Sequence, residues 1–381
     1  MANNGITRIG IIGCGRIARE GHLPYLKINP DVELVGAADV AEKNRDAVCS
    51  QFKVSKSFCS AVELLDEAKP DGILICTPNW AHKELTLMAA ERGIHVFCEK
   101  PMAVNAAEAE EMVAACERAR VNLQIGMVKR FDAGMVKAKK MIESGRLGFV
   151  SSITGTMLNP PARFDSQVFE TVKKIAEMAG VDIEEKLGLW RQKDKRTGGG
   201  QLLEMGTHLL DLIMYFAGGR PVSTAGFISM KRSDLLWEDQ GTITARFESG
   251  AIGTADMNMS VIADNLVGES GWIYGDKASL RYNLINGMWF GLPFYEYIPT
   301  QLKLYGGLSP LTGVGVPVPI KVGRSVYMHK LQMDYFVDGI IGRDRDYFGF
   351  GEGFASDGRD GLAVMKAIDN IYEKAEENGW R

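Results

Sequence analysis

One short segment near the N-terminus constrains the fold of this chain more than any other. Residues 13–18 read GCGRIA and lie between an apolar run at 8–12 and an amphipathic stretch at 17–28. A G-x-G-x-x-A string alone is a weak signal, but between a strand and a helix it is typical of a dinucleotide-binding βαβ unit. Gly13 permits a tight turn, and Gly15 lets a pyrophosphate approach the backbone. Arg16 and Ile17 begin the helix, whose amides and dipole favour an anion.

An acidic residue follows the second predicted strand, residues 33–39. Asp39 lies near the spacing of about 20 residues at which a carboxylate binds the adenosine ribose. Such a carboxylate accepts hydrogen bonds from the ribose hydroxyls and repels a 2′-phosphate. We therefore predict NAD as the cofactor in preference to NADP, although the nearby Arg45 leaves NADP open.

Polar residues also follow the strand GILIC, residues 72–76, at its carboxyl end. The segment TPNWAH, residues 77–82, offers Thr77, Asn79 and His82 to the nicotinamide half of a dinucleotide. Ligands bind at this edge of a parallel sheet. His82 has a plain alternative, which is to cap the helix that follows.

Hydrophobic patterning predicts an α/β fold with two different sheets. Strands and amphipathic helices alternate up to residues 122–127, which is typical of a doubly wound parallel Rossmann sheet. Strands predicted at 150–157, 225–230, 242–247, 251–259 and 270–274 follow one another with few helices, which favours an α+β domain with a large, mostly antiparallel, open-faced sheet. One helix is expected at 202–216, and two more at 328–340 and 361–377. Residues 283–323 show no clean period and are expected to form a functional loop or an oligomer contact.

The length of 381 residues exceeds what one hydrophobic core usually serves, so two domains are expected, at 1–127 and 128–381. The net charge of −4 suggests neither nucleic acid nor an anionic membrane as a partner. The six cysteines form no CxxC pair, so we expect reduced thiols and no metal site. Without a secretory signal pattern at its start, the chain is expected to be cytoplasmic.

Two groups of residues carry the predicted chemistry. Glu99-Lys100-Pro101 ends the strand HVFC, residues 95–98, and places both charged side chains at the cofactor edge of the sheet. An ammonium there can hydrogen-bond a reacting hydroxyl and stabilise the alkoxide that forms as a hydride leaves. The alternative is a surface pair of charges at a strand end.

The second group follows three glycines at 198–200. Glu204, His208 and Asp211 recur at i, i+4 and i+7, so an unbroken helix presents them on one face. An imidazole is well matched to accepting an alcohol proton near neutral pH. Glu204 would fix a substrate hydroxyl, and Asp211 would orient the His208 ring. A solvated helix face is the alternative.

The motifs VFCEKPMA, IESGRLG and GGGQLLEMGTHLLDL together resemble the glucose-fructose oxidoreductase, inositol dehydrogenase and MocA family, from the N-terminus to about residue 275. The resemblance implies proton-handling roles for Lys100 and His208, and a pyranose or polyol substrate. It also implies oligomer contacts through the C-terminal sheet, as a homodimer or homotetramer. Lys129 and Arg191 match positions expected to contact substrate. Many members have aspartate where this chain has Glu204, so the substrate contact there does not carry over directly.

Three functions remain open at this stage. The leading one is an NAD-dependent dehydrogenase acting on a secondary hydroxyl of a sugar, glycoside or cyclitol, with C3 of a glucosyl unit as the first candidate. The second is a redox-neutral glycosidase or epimerase that oxidises its substrate transiently. The third is a non-catalytic sugar or dinucleotide sensor, against which the presence of both Lys100 and His208 argues.

Overall fold

In the computed structural model the chain forms two β-sheets with helices packed against them. The structure describes residues 6–158, 167–178, 189–231, 235–259, 267–285, 298–307, 315–320, 328–348 and 354–378. Both predicted sheets are present, which confirms the predicted fold class.

The first sheet has six strands, and every neighbouring pair is parallel. Its strands are β1 Thr7–Ile12, β2 Val32–Ala38, β3 Ser57–Phe58, β4 Gly72–Ile75, β5 His95–Cys98 and β6 Leu123–Ile125. Their order is β3-β2-β1-β4-β5-β6, so the direction of winding reverses between β1 and β4. Ligands bind outside the carboxyl ends of the strands at such a switch point. The glycine loop and the segment after β4 both lie there.

Helices connect these strands. They are α1 Leu23–Ile28, α2 Glu42–Phe52, α3 Ala61–Glu63, α4 His82–Glu91 and α5 Ala106–Ala119. A π-helical turn at Ile17–His22 leads into α1, and a second at Leu64–Ala68 follows α3. The helix predicted at 17–28 is therefore present, but its first half has π geometry, a feature often found at functional sites.

The second sheet has eight strands, and only β7 and β10 pair in parallel. Its strands are β7 Val150–Leu158, β8 Pro221–Ser229, β9 Gln240–Phe247, β10 Ile252–Asn258, β11 Val267–Gly275, β12 Ala278–Ile285, β13 Ile298–Gly307 and β14 Gly315–Ile320. They run in the order β14-β13-β12-β11-β7-β10-β9-β8. The helices before and among them are α6 Ala133–Glu143, α7 Gln167–Met178, α8 Gln201–Glu204 and α9 Gly206–Ala217. Single 3₁₀ turns lie at Asn79–Ala81, Val128–Phe131, Leu189–Lys193 and Lys195–Thr197.

One face of the second sheet is covered by α9, and the other, called the open face below, carries exposed side chains among the described residues. The side chains of Leu209 and Ile213 lie directly over Gly155 and Gly253, where any Cβ would overlap them. On the opposite face Ile252 is 50% exposed, Phe227 is 84% exposed, and the rings of Trp272 and Tyr274 stack 5.5 Å apart.

Two predictions about this half were wrong. The expectation of a loop at 283–323 was wrong, because β13 and β14 extend the sheet within that range, whereas the alternative of an oligomer contact stays a prediction. Residues 286–297, 308–314 and 321–323 lie outside the described part. Pro317 and Pro319 are atypical of a strand, so the sequence did not indicate β14. An edge strand nevertheless tolerates proline, because its outward amides need no partner. The helix predicted at 202–216 is two helices, separated at Met205.

The chain ends in two helices, α10 Met328–Ile341 and α11 Gly358–Glu377, as predicted. Met333, Phe336 and Val337 of α10 belong to the same buried cluster as Ile9 and Phe97 of the first sheet. The C-terminal segment therefore completes the core of the N-terminal half, and the domain boundary after residue 127 stays a prediction. Among the described residues, no helix combines the length and apolarity needed to cross a membrane.

Candidate active site

The glycine loop after β1 has the shape that the sequence predicts. Gly13 has φ +93°, and a Cβ added there would lie 2.6 Å from the carbonyl carbon of Cys76. Only glycine adopts this conformation in so little space. A Cβ added at Gly15, in contrast, meets no atom of the described residues within 4 Å, so the backbone there has room for a ligand. The open loop beside the first helix fits a dinucleotide pyrophosphate.

Asp39 is fixed beside this loop by main-chain amides. Its Oδ2 accepts from Cys14 N at 2.7 Å, and its Oδ1 accepts from Ala41 N at 2.8 Å. Arg45 donates to the main-chain carbonyl of Asp39 at 2.6 Å. Each carboxylate oxygen keeps a second lone pair, so this half-exposed group can still accept from ribose hydroxyls. These residues fit the adenosine half of NAD.

Asn79 and His82 are engaged by the protein itself. Asn79 Nδ2 donates to the carbonyl of Thr197 at 2.7 Å. The buried His82 ring has Nδ1 3.0 Å from the carbonyl of Pro101 and Nε2 2.9 Å from that of Thr77. Burial lowers the pKa of His82, although these hydrogen bonds counteract it. His82 does not cap α4; it joins the loop after β4 to the loop after β5.

Glu99 is held by a histidine that the sequence analysis did not identify. Its Oε1 lies 2.6 Å from Nε2 of His22, which lies in the first π-helical turn, and its Oε2 accepts from Lys100 N at 3.1 Å. Burial works to raise the pKa of Glu99, but the hydrogen bond and charge of His22 lower it overall. The ring of His329 lies 5.5 Å from that of His22, and burial lowers its pKa to about 3, so it is neutral. His22, Glu99 and His329 thus connect the helical turn after the glycine loop to the end of β5, which Lys100 follows.

Lys100 meets Glu204 at the break between α8 and α9. Its Nζ donates to the Glu204 carbonyl at 3.0 Å and lies 3.4 Å from Glu204 Oε2. In an unbroken helix that carbonyl would accept from His208 N, which here donates to the Met205 carbonyl at 3.1 Å instead. The break that sequence periodicity missed therefore supplies an acceptor for the predicted catalytic lysine.

None of the three glycines before α8 has room for a side chain, because a different neighbour approaches each of them closely. Gly198 has φ +82°, and a Cβ there would lie 2.5 Å from the carbonyl oxygen of Val104. A Cβ at Gly199 would overlap the hydroxyl of Tyr372, and one at Gly200 would overlap the carbonyl of Glu238. The glycines thus let three distant segments converge on the start of α8.

The Glu204 carboxylate lies between two cations. Nε of Arg191 is 3.7 Å from Glu204 Oε1, on the side away from Lys100. The Arg191 side chain is 43% exposed, whereas that of Glu204 is 11% exposed. Glu204 and Arg191 therefore form a polar surface that extends from solvent to Lys100.

His208 lies next to a second buried ion pair. Lys129 pairs with Glu269, and both side chains are almost completely buried. Burial, and then the charges of Lys129 and Lys100, hold the pKa of His208 well below its ordinary value. Its buried Nδ1 has no hydrogen-bond partner among the residues that the structure describes. His208 is thus a neutral imidazole able to accept a proton. Glu269, 140 residues from Lys129, gave no signal in the sequence.

The expectation that Asp211 orients His208 was wrong. Both Asp211 oxygens accept from Arg130, at 2.9 Å from Nε and 2.7 Å from Nη2. Arg130 also donates to Asp360 at 2.9 Å. A planar guanidinium matches a carboxylate better than an imidazole does, and this buried pair takes Asp211 away from the site. Arg130 directly follows Lys129, but nothing in the sequence indicated that it pairs with Asp211 of α9.

Two family models match most of the chain. Residues 7–127 match the model described as "Oxidoreductase family, NAD-binding Rossmann fold", and residues 135–281 match the "GFO/IDH/MocA C-terminal domain". The first match covers the glycine loop, Asp39 and Lys100. The second covers Arg191, Glu204 and His208.

Named proteins are also similar to the chain. A myo-inositol 2-dehydrogenase of Thermotoga maritima is 28% identical over 71% of this chain and 75% of its own length. A D-glucoside 3-dehydrogenase of Escherichia coli is 28% identical over 59% of this chain and 58% of its own length. The crystal structure of an aldose-aldose oxidoreductase from Caulobacter crescentus, complexed with glycerol, covers 98% of both chains with a TM-score of 0.76 at 24% identity, which supports the fold.

Proposed function

Because the chain belongs to the GFO/IDH/MocA family of NAD-binding oxidoreductases, we propose that it oxidises a secondary hydroxyl of a sugar, glycoside or cyclitol, with C3 of a glucosyl unit as the first candidate. The observation that carries the proposal is the meeting of Lys100 with Glu204, beside the neutral His208. An alcohol dehydrogenation needs a proton acceptor and a cation at the same oxygen, and this cluster offers both.

Bound NAD supplies a hydride acceptor. Gly13, Gly15 and Asp39 hold the pyrophosphate and the adenosine ribose, and Arg16 and Ile17 contribute the first amides of the helix. Thr77, Asn79, His82 and Glu99 shape the nicotinamide end, the last three through contacts within the protein. The preference is for NAD, because the Asp39 carboxylate repels a 2′-phosphate.

The proton moves through residues of this chain. His208 accepts the proton of the reacting hydroxyl, which it can do because burial and two nearby lysines keep it neutral. Lys100 stabilises the negative charge that develops on the oxygen, and Glu204 orients the Lys100 ammonium through its carbonyl and carboxylate. Arg191 contacts another hydroxyl of the substrate, and the expected substrate contact of Lys129 stays a prediction, because its side chain is buried against Glu269.

We also propose that the open face of the second sheet joins two copies of the chain in a homodimer or homotetramer. Phe227, Ile252 and the stacked Trp272 and Tyr274 supply an apolar surface there. Burial of such a surface drives association. Light scattering of the wild type and Phe227→Asp tests this: a wild type that is a monomer at micromolar concentration contradicts it.

The test of activity uses the wild-type protein, NAD and a panel of myo-inositol, methyl glucosides and free or phosphorylated aldoses. Reduction of added NAD by at least one member is the expected result. Conversion of a substrate by tightly held cofactor, with no net NADH, favours the redox-neutral reaction instead. Cofactor binding without conversion of any panel member overturns the proposal.

A further inference from the structure

A buried carboxylate that the proposed chemistry does not use holds the start of α8. Glu238 is fully buried, and its Oε1 accepts from Leu202 N at 2.9 Å and from the Tyr372 hydroxyl at 2.8 Å. Gly200 N lies 3.2 Å from both carboxylate oxygens. The Glu238 carbonyl accepts from Gln201 N at 3.1 Å. One residue thus satisfies three consecutive amides at the beginning of the helix.

The helix that Glu238 caps is too short to be stable, or to hold its position, without tertiary contacts. Isolated helices shorter than about 12 residues are marginal in water, and α8 has only 4 residues. Its last residue is Glu204, whose carbonyl and carboxylate receive Lys100. The position of that carbonyl relative to Lys100 is therefore set by the contacts that anchor the start of α8.

We propose that Glu238 is a positioning residue for the reaction: it anchors α8 so that Glu204 holds the Lys100 ammonium at the reacting oxygen. This inference rests on the proposed function for its effect on turnover, but not for its effect on α8. Tyr372 assists by donating to the same carboxylate oxygen and by approaching Gly199 too closely for any side chain to fit there.

The chemistry of the contacts explains why a carboxylate is needed. Each group that reaches the Glu238 side chain is a donor, namely two main-chain amides and a phenol. A glutamine keeps one acceptor oxygen but turns a second donor toward the amide of Gly200. The resulting repulsion shifts α8 without creating a cavity.

The test compares Glu238→Gln with Asp239→Asn. Asp239 is the adjacent residue, equally buried, and its carboxylate accepts from Lys231 N at 3.0 Å, away from α8. Both variants replace a buried carboxylate by an amide of the same shape. At pH 8.5, above the pKa of about 7 that burial gives Glu238, we measure kcat, substrate KM, the Kd of NADH by fluorescence, the melting temperature, and amide hydrogen exchange of residues 200–205.

Glu238→Gln is expected to lower kcat by about ten- to a hundredfold, as expected for a misplacement of catalytic groups by about 1 Å. KM and the NADH Kd should stay within about twofold, and exchange at 200–205 should rise at least tenfold. Asp239→Asn should leave kcat and this exchange unchanged, whatever it does to the melting temperature. Equal losses of kcat in both variants, or wild-type kcat and exchange in Glu238→Gln, would overturn the proposal.

Two outcomes separate this inference from the proposed function. If the wild type converts no panel substrate, the proposed function fails, while the exchange of residues 200–205 in the two variants still decides whether Glu238 anchors α8. If Glu238→Gln does not fold, Tyr372→Phe replaces it, because it removes one donor and keeps the ring. A kcat about two- to fivefold lower at unchanged KM then supports the inference, and an unchanged kcat contradicts it.

Discussion

The dinucleotide end and the proton-handling end of this site are built in different ways. The first consists mainly of main-chain groups and Asp39, all within residues 13–41 and joined by bonds such as Cys14 N to Asp39. The second consists of side chains, and Lys100 and Glu204, which meet there, are 104 residues apart. A site made of backbone is encoded locally, whereas the cluster of Lys100 and Glu204 depends on how distant segments of the chain pack. Changes in the second region should therefore alter turnover, and changes in the first should alter cofactor affinity.

The largest effect should come from His208→Ala. Loss of the proton acceptor should lower kcat by ~10²–10⁴-fold, the usual contribution of a general base. NADH affinity should stay close to that of the wild type, because the residue lies in the proton-handling region. Steady-state kinetics and a fluorescence titration measure the two effects.

His95→Ala is the matched control for this variant. His95 begins β5, whereas Lys100 follows its other end, and His95 Nδ1 accepts from Asn122 N at 3.0 Å, away from the site. Its kcat should be that of the wild type. If His208→Ala turns over as fast as His95→Ala, His208 is only a structural residue.

Lys100→Met should have the next largest effect. Methionine keeps the approximate length of the side chain but removes the ammonium, so kcat and kcat/KM should both fall by ~10²–10³-fold, as for loss of a charge-stabilising donor in the transition state. The melting temperature should change little, since Glu204 retains Arg191 as a partner. A variant that melts early but turns over normally would show that Lys100 acts only in stability.

Lys83→Met removes a lysine that pairs at the surface with Glu108 and Glu111. It should change neither kcat nor NADH affinity. A loss of turnover in Lys83→Met comparable to that in Lys100→Met would mean that the effect is not specific to the site.

The buried Glu238 should give the proton-handling region a pH-dependent stability. Burial raises the pKa of Glu238 from 4.5 to about 7 in the folded protein, although the donors around it counteract part of this. Because the pKa of Glu238 is higher in the folded protein than in the unfolded chain, protonation of this carboxyl stabilises the fold. This stabilisation is complete below pH 4.5 and is lost as the pH rises to about 7. The gap corresponds to about 3 kcal/mol.

Urea unfolding of the wild type and Glu238→Gln from pH 4.5 to 8 measures this effect. The unfolding free energy of the wild type minus that of Glu238→Gln should fall by about 3 kcal/mol between pH 4.5 and 7, and stay constant above pH 7. Contributions of the other titrating groups cancel in the difference. A difference that is flat with pH would show that Glu238 titrates normally in the fold.

The smallest effect should come from Asp39→Ala, at the dinucleotide end. Hydrogen bonds to a charged group are worth about 1.5–3 kcal/mol, so NAD should bind roughly ten- to a hundredfold more weakly. NADP should gain relative to NAD, because the repulsion of its 2′-phosphate is removed. kcat at saturating NAD should change little.

Asp31→Ala controls for loss of a carboxylate elsewhere in this half, since Asp31 pairs with Arg343 at the surface. It should leave the affinity for both cofactors unchanged. Equal affinity of the wild type for NAD and NADP would contradict the role given to Asp39.

The sequence predicted the locally encoded parts well. The glycine loop, five of the six strands of the first sheet and the two terminal helices follow from short-range periodicity and from the conformational freedom of glycine, whereas the two-residue β3 was not predicted. The sequence also singled out Lys100, Glu204 and His208, which the structure brings together, because their chemistry and their family motifs are distinctive; their catalytic roles stay predictions. What the sequence did not indicate was how they are held together.

The missed features all depend on distant partners. The break at Met205 has only a weak local signal in the sequence, the adjacent Gly206, and its role is evident only from Lys100, whose ammonium donates to the Glu204 carbonyl that the break leaves free. Asp211 was assigned to the nearest polar residue on its face, but its partner is Arg130, 81 residues away. His22 and Glu269 belong to no recognisable motif in the sequence, and only the folded chain brings them to Glu99 and Lys129.

The packing of α10 on the first sheet has a consequence for the synthesis of this protein. Met333, Phe336 and Val337 complete the apolar cluster around Ile9 and Phe97, so the N-terminal half emerges from the ribosome about 200 residues before its core can close. At about 5–20 residues per second, that interval lasts roughly ten to forty seconds. During this time the nascent half exposes an apolar surface that the finished protein covers. Nascent chains of this length are therefore expected to need chaperone protection until translation nears its end.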